Sequence, residues 1–234
     1  MQKDAVMIGT FPETRHTNTG VVTKHVFVIA TSACKLNGSG GCAILFNLKR
    51  PVTTINGLPA CLTEDDISII VAQPRRLVVS VTSPAMQCIV VCLHCLDTSY
   101  PEDERREWWS TSISVLDAIV SSKDSVILNI DGNTRINRTE SGTAGDILDD
   151  PHSDQQDFLT DLCKHFKLTI ANTYSHVVTP GSELGTWHSP SGKVVRCDYM
   201  CFSQDFHLKK HTCTTNQKFC TGDSAKDHIS LHVF

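Results

Sequence analysis

"SVILNIDGNTR", residues 125–135, decides how this chain reads. Apolar and β-branched residues dominate Val126–Ile130, broken only by Asn129, and stop at Asp131-Gly132-Asn133. Asp, Gly and Asn are ordinary turn residues, so a strand ending in a plain turn is the default. The same residues also place a carboxylate and a carboxamide two positions apart. In an extended segment that spacing puts both on one side. The stretch is therefore either a simple turn or a seat for chemistry, and its surroundings must decide.

Nine other segments share its β-branched and apolar density: residues 6–11, 26–34, 42–48, 67–72, 76–83, 87–96, 168–172, 197–203 and 229–234. These predict strands. Two helices fall between strand groups. One spans 101–121, opened by Pro101, with Trp109, Ile113, Leu116 and Val120 on one face. The other spans 153–166, with Ser153 and Gln156 as a capping box and Phe158, Leu162 and Phe166 as its buried stripe. Between the helices, "GTAGDILDD" (142–150) reads as an acidic surface loop. Many strands, few helices and no regular alternation predict an α+β fold, with two mixed sheets packed face to face and helices outside.

The chain has 234 residues, 40% of them hydrophobic, enough for one sizeable core and one domain spanning 1–234. No apolar run is long enough for a transmembrane helix, and the start lacks the apolar stretch of a signal peptide. The expectation is an intracellular protein, nuclear or cytoplasmic, with no membrane partner. Eleven cysteines then read as reduced, mostly buried residues. Cys92 and Cys95 lie three apart in a strand, on opposite faces, which argues against a paired redox or zinc site. Cys201 and His207 are too close for a finger. The net charge of −4 argues against purely electrostatic nucleic-acid binding, but not against an enzyme that gathers carboxylates around a metal.

Several polar residues stand at strand ends, where a rigid sheet can hold them in place. They are Glu13 in "PETR", His94 in "LHCLD", Asp131 and Asn133 in "IDGNTR", Asp198 in "TWHSPSGKVVRCDYM", and Asp227 and His228 in "KDH". In this order the motifs resemble the endonuclease/exonuclease/phosphatase superfamily, most closely the apurinic-type endonuclease domains of non-LTR retrotransposons. There the pattern runs Q-E-T-R, a His or Tyr at a strand end, G-D-F-N-A, T-W followed by D-Y, and S-D-H.

That resemblance implies a four-layer α/β/β/α sandwich and phosphodiester hydrolysis dependent on Mg²⁺ or Mn²⁺. DNA would be the substrate, cut by nicking, and the chain would act as a monomer. Glu13 would ligate the metal, a role suited to a carboxylate because Mg²⁺ prefers oxygen, and Asp227 would assist. Asp131 would orient or deprotonate the attacking water, and Asn133 would bind the phosphate or the water. His228 would contact the scissile phosphate, with Asp198 holding its ring. His94 matches a His placed near the leaving oxygen. Asn172 matches a recurrent Asn-Thr, either structural or on the substrate side. Trp187 could stack on nucleic acid or pack under its loop.

Alternatives remain: a phosphomonoesterase or lipid phosphatase on the same fold, or an inactive remnant that serves as a binding module. The sequence also departs from the pattern. Relatives place one more strand, carrying an Asn, before the Glu-bearing strand. Ile130 replaces a Gly, Gly132 replaces a large apolar residue, and Lys226 replaces a Ser. Gly132 predicts a looser turn between the two catalytic groups.

Overall fold

Each of the ten apolar segments forms a strand in the computed structural model, with ends shifted by up to two residues. The structure describes residues 6–140, 142–149, 153, 155–180, 185–189, 192–204, 213–216 and 230–233. The chain divides into two compact units, Met1–His94 with Asp117–Asn129, and Cys95–Leu116 with Ile130–Phe234.

The first unit opens with β1 (Ile8–Pro12), β2 (Gly20–Lys24), β3 (Phe27–Ser32) and β4 (Cys42–Asn47). They form a sheet in the order β1-β4-β3-β2. Its pairings are all antiparallel, so this sheet is not mixed. A hairpin follows, β5 (Pro51–Ile55) and β6 (Leu58–Cys61). Its turn is Asn56-Gly57, both at positive φ, as the favoured two-residue hairpin turn requires. Next come β7 (Ile67–Gln73), β8 (Arg76–Thr82) and β9 (Gln87–His94), with β10 (Val126–Asp131) beside β9. Every residue of β9 after Gln87 is buried. Its unbroken apolar run therefore marks a strand covered on both faces.

The glycine-rich segment after β3 holds the segment after β1. Thr14 and Arg15 donate their N–H groups to the carbonyls of Gly41 and Gly40, both at 2.9 Å. The Gly41 N–H in turn donates to the Pro74 carbonyl. Gly41 has φ +86°, and a Cβ there would lie 2.8 Å from Thr14 Oγ1 and 3.1 Å from the Arg15 nitrogen. Only glycine permits this close approach.

In the second unit α1 (Glu102–Asp117) begins just after Pro101, whose carbonyl accepts the Arg105 N–H. Glu102, Asp103 and Glu104 place negative charge on its first turn, where the helix dipole favours it. Trp109 and Leu116 are buried as expected, together with Arg105, Trp108 and Ser112. Ile113 and Val120 are half-buried, and Val120 lies beyond the helix end.

The second helix, α2 (Gln156–His165), starts later than predicted. Gln155 holds the cap position and the Ser153/Gln156 box does not form; the Gln156 side chain accepts the Asn137 N–H instead. Its buried stripe is also rotated. Leu159, Leu162 and Cys163 are fully buried, whereas Phe158 and Phe166 are half-buried. Small Thr160 and Cys163 let the helix approach its support on the less obviously apolar side.

After α2 come β11 (Leu168–Ile170), the short ladder of β12 (Trp187–His188) with β13 (Val194–Val195), and β14 (Asp198–Ser203). A further ladder pairs β15 (Cys213–Asn216) with β16 (Ser230–Val233). The order here is β11-β14-β10, so the end of β10 lies beside β14. The acidic segment 142–150 is not a surface loop throughout. Thr143, Ala144 and Gly145 are buried, and Asp149 pairs with buried Arg196. Asp150 lies outside the described residues. No helix among the described residues is long and apolar enough to cross a membrane.

Gly41→Ala should lower stability by about 1–3 kcal/mol, combining left-handed strain with the Thr14 contact. Gly57→Ala, where a Cβ meets nothing within 4 Å, carries the strain alone and should cost less. Urea unfolding of the two variants checks the order.

Candidate functional site

The candidate site in the second unit forms where β10 ends. Asp131 is the last residue of the strand and only 3% exposed. Its carbonyl accepts the Cys95 N–H at 2.8 Å, and its Oδ1 accepts the Asn133 N–H at 3.2 Å. Asn133 has φ +44°, a conformation Asn tolerates better than most residues. Its Nδ2 donates to the Cys95 carbonyl at 3.0 Å. Gly132, between them, does not loosen the turn as its residue type predicts. Its φ is not in the left-handed region, and its N–H donates to the Cys197 carbonyl at 2.8 Å. Thr134 follows, and its carbonyl accepts the buried Tyr199 hydroxyl at 3.1 Å.

The second carboxylate comes from the start of β14. Thr186 Oγ1 accepts the N–H groups of both Cys197 (3.1 Å) and Asp198 (3.0 Å). Asn172, fully buried, donates Nδ2 to the Asp198 carbonyl and accepts the Met200 N–H on Oδ1. Arg196 completes the anchorage. It is buried, pairs with Asp149 through Nε and Nη2, and donates to the carbonyls of Asn172 and Ile147.

With both strand ends fixed, side-chain ligand atoms of Asp131, Cys197 and Asp198 lie within 4.8 Å of one another. The Cys197 thiol donates to Asp198 Oδ2 at 3.5 Å. Burial pushes its pKa well up, and the Asp198 and Asp131 charges push in the same direction. The thiol thus stays protonated while the carboxylates stand close together.

In the first unit, Glu13 and His94 meet. Glu13 sits at φ +56° on the segment anchored to Gly40 and Gly41. One of its oxygens is 3.4 Å from Arg15 Nη2, and the other is 3.9 Å from His94 Nε2. His94 closes β9 and is 4% exposed, with its N–H on the Arg75 carbonyl.

The sequence-predicted residues thus fall into two described groups, Glu13 with His94, and Asp131, Asn133 and Asp198 with Asn172 at their base. Trp187 is half-buried in β12, paired with Val195. Asp227 and His228 lie outside the described residues. Sequence reasoning missed Thr186, Arg196 and Gln155. Thr186 directly precedes the noticed Trp187, and a buried Thr before a strand is a signal for backbone capping.

The nine cysteines from Cys34 to Cys201 are free, as predicted for reduced residues. Cys92 and Cys95 are fully buried.

No family model and no curated protein matches this chain. Solved structures do. The endonuclease domain of TRAS1, a telomere-specific non-LTR retrotransposon, aligns over 89% of this chain and 79% of its own, with TM-score 0.55 and 14% identity. The 3'-5' exonuclease NExo from Neisseria meningitidis aligns over the same shares, with TM-score 0.60 and 14% identity. An AP endonuclease from Archaeoglobus fulgidus aligns over 97% of this chain and 88% of its own, with TM-score 0.61 and 12% identity. At these identities the likeness is one of fold. The fold class is the expected α+β sandwich, and the expected likeness to endonuclease/exonuclease/phosphatase structures holds.

Thr186→Val should cost about 1–3 kcal/mol, because two N–H groups at a buried strand start lose their acceptor. Thr186→Ser should restore most of it. Chemical denaturation of the pair measures the difference.

Proposed function

We propose that this chain, which has the endonuclease/exonuclease/phosphatase fold, is a divalent-metal-dependent phosphodiesterase that nicks DNA. The observation that carries the reading is the pair of carboxylates, Asp131 and Asp198, held at the ends of neighbouring strands by hydrogen bonds to buried backbone. Two carboxylates this close repel each other unless a cation or a proton is near. Their oxygens suit a hard cation such as Mg²⁺ or Mn²⁺, whereas the protonated Cys197 thiol beside them does not. Asp131 and Asp198 would hold such an ion, and the motif resemblance assigns Glu13 as a metal ligand with Asp227 assisting. When bound, the ion supplies positive charge against the phosphate oxygens as they gain charge in the transition state.

The residues of the chain do the rest. Asp131, held by the Asn133 N–H, orients the attacking water and takes its proton. The oxygen of that water bonds to phosphorus as the bond to the leaving oxygen breaks. Asn133 binds the phosphate or the water. His94 acts near the leaving oxygen. His228 contacts the scissile phosphate, with Asp198 as the partner of its ring. Asn172 works from beneath β14, and Trp187 offers a ring to the substrate side. Origin in a retrotransposon is supported by the motif order and by the TRAS1 likeness.

Supercoiled plasmid incubated with the chain and Mg²⁺ should convert to the open circular form. EDTA should abolish the conversion, and excess Mg²⁺ or Mn²⁺ should restore it. Phosphate release from inositol phosphates without any nicking would favour a phosphomonoesterase on this fold. No turnover of either substrate by a folded chain would leave a binding module.

A further inference from the structure

Gln155 immediately precedes α2 and is fully buried. Its Oε1 accepts the Trp109 indole N–H at 3.1 Å and the Cys95 thiol at 3.2 Å. Its Nε2 donates to the Leu96 carbonyl at 3.1 Å and the Asn133 carbonyl at 3.3 Å. The indole nitrogen can only donate, so the orientation of the amide is determined rather than chosen. Both acceptor and both donor capacities are used, on partners drawn from α1, the segment after β9 and the turn after β10.

These bonds close a ring around Asn133. Gln155 holds the Asn133 carbonyl and the Cys95 thiol. Cys95 in turn holds the Asn133 side chain through its carbonyl and Asp131 through its N–H. Asn133 sits at positive φ, a conformation that persists where surrounding contacts determine it. A side chain of the same length but no polar atoms would leave the Asn133 and Leu96 carbonyls and the Trp109 N–H without this partner.

We infer that Gln155 is a positioning residue for hydrolysis, fixing the Asn133 carboxamide and, through Cys95, the Asp131 backbone. The inference rests on the phosphodiesterase reading above for its consequence in rate, but not for its geometry.

The test compares the wild-type chain with Gln155→Met and Gln155→Glu. Plasmid nicking gives kcat and KM, and ¹⁵N-resolved spectra follow the Asn133 side-chain amide. Gln155→Met should reduce kcat by about 10–100-fold with KM changed less than about 2-fold, since displacing a reacting group by about 1 Å can cost roughly 10²-fold. The Asn133 amide resonance should shift and exchange faster. Gln155→Glu keeps the acceptor for Trp109 and Cys95 and, as the buried neutral acid, one donor, so it should recover part of the rate. It also carries the comparison if the Met variant fails to fold. Unchanged kcat and an unchanged Asn133 amide in a folded variant overturn the inference. A wild-type chain that nicks nothing, while the Asn133 amide still moves in the variants, overturns the phosphodiesterase reading and supports the positioning geometry.

Discussion

The hydrogen bond from the Gly132 N–H to the Cys197 carbonyl, 2.8 Å long, joins the turn after β10 to the entrance of β14. Both ends are buried, so each backbone group must find a partner inside the protein or cost about 1–3 kcal/mol. The remaining partners follow from that constraint. Thr186 Oγ1 accepts the two N–H groups at the entrance of β14, Asn172 donates to the Asp198 carbonyl, Tyr199 to the Thr134 carbonyl, and the Cys95 N–H to the Asp131 carbonyl. The carboxylates of Asp131 and Asp198 emerge from backbone that has little freedom left. A site held this way is preorganised, and fixed groups aimed at developing charge are the usual source of rate.

Arg196 shows how far the anchorage extends. A buried guanidinium is costly unless its donors are matched, and here Asp149 and two carbonyls match them. Asp149 belongs to a segment whose acidic composition suggests a solvated loop. Composition alone cannot separate a surface carboxylate from one that serves a buried arginine, because the partner is 47 residues away.

The strands were legible because their apolar and β-branched runs are long. β2 and β5 were not, because their Val and Thr residues are few and mostly exposed, and β6 was not, because it is only four residues long and contains Pro59. The Asn56-Gly57 pair could still have revealed the β5–β6 hairpin. Asp131, Asn133 and Asp198 were legible as candidates because they lie at or just beyond an end of an apolar strand and match a known motif order. Gln155 was not, because its partners Trp109 and Cys95 are 46 and 60 residues away. Gly132 misled for a physical reason. Its residue type allows freedom, whereas its hydrogen bond and its crowded surroundings remove it.

The negative net charge bears on the proposed substrate. A polyanion gains little from the field of this chain as a whole, so attraction must be local. On the proposed reading, the open face of a divalent cation held at Asp131 and Asp198 would supply that local attraction. The most direct measurement is single-turnover plasmid cleavage by Asp131→Asn beside the wild-type chain at saturating Mg²⁺. Asparagine can still accept the Asn133 N–H, so the fold should persist, as circular dichroism can verify, while the negative charge is lost. The account predicts a rate at least about 10²-fold lower, in line with the loss of a proton-accepting side chain. An Asp131→Asn chain that cleaves as fast as the wild type would contradict it.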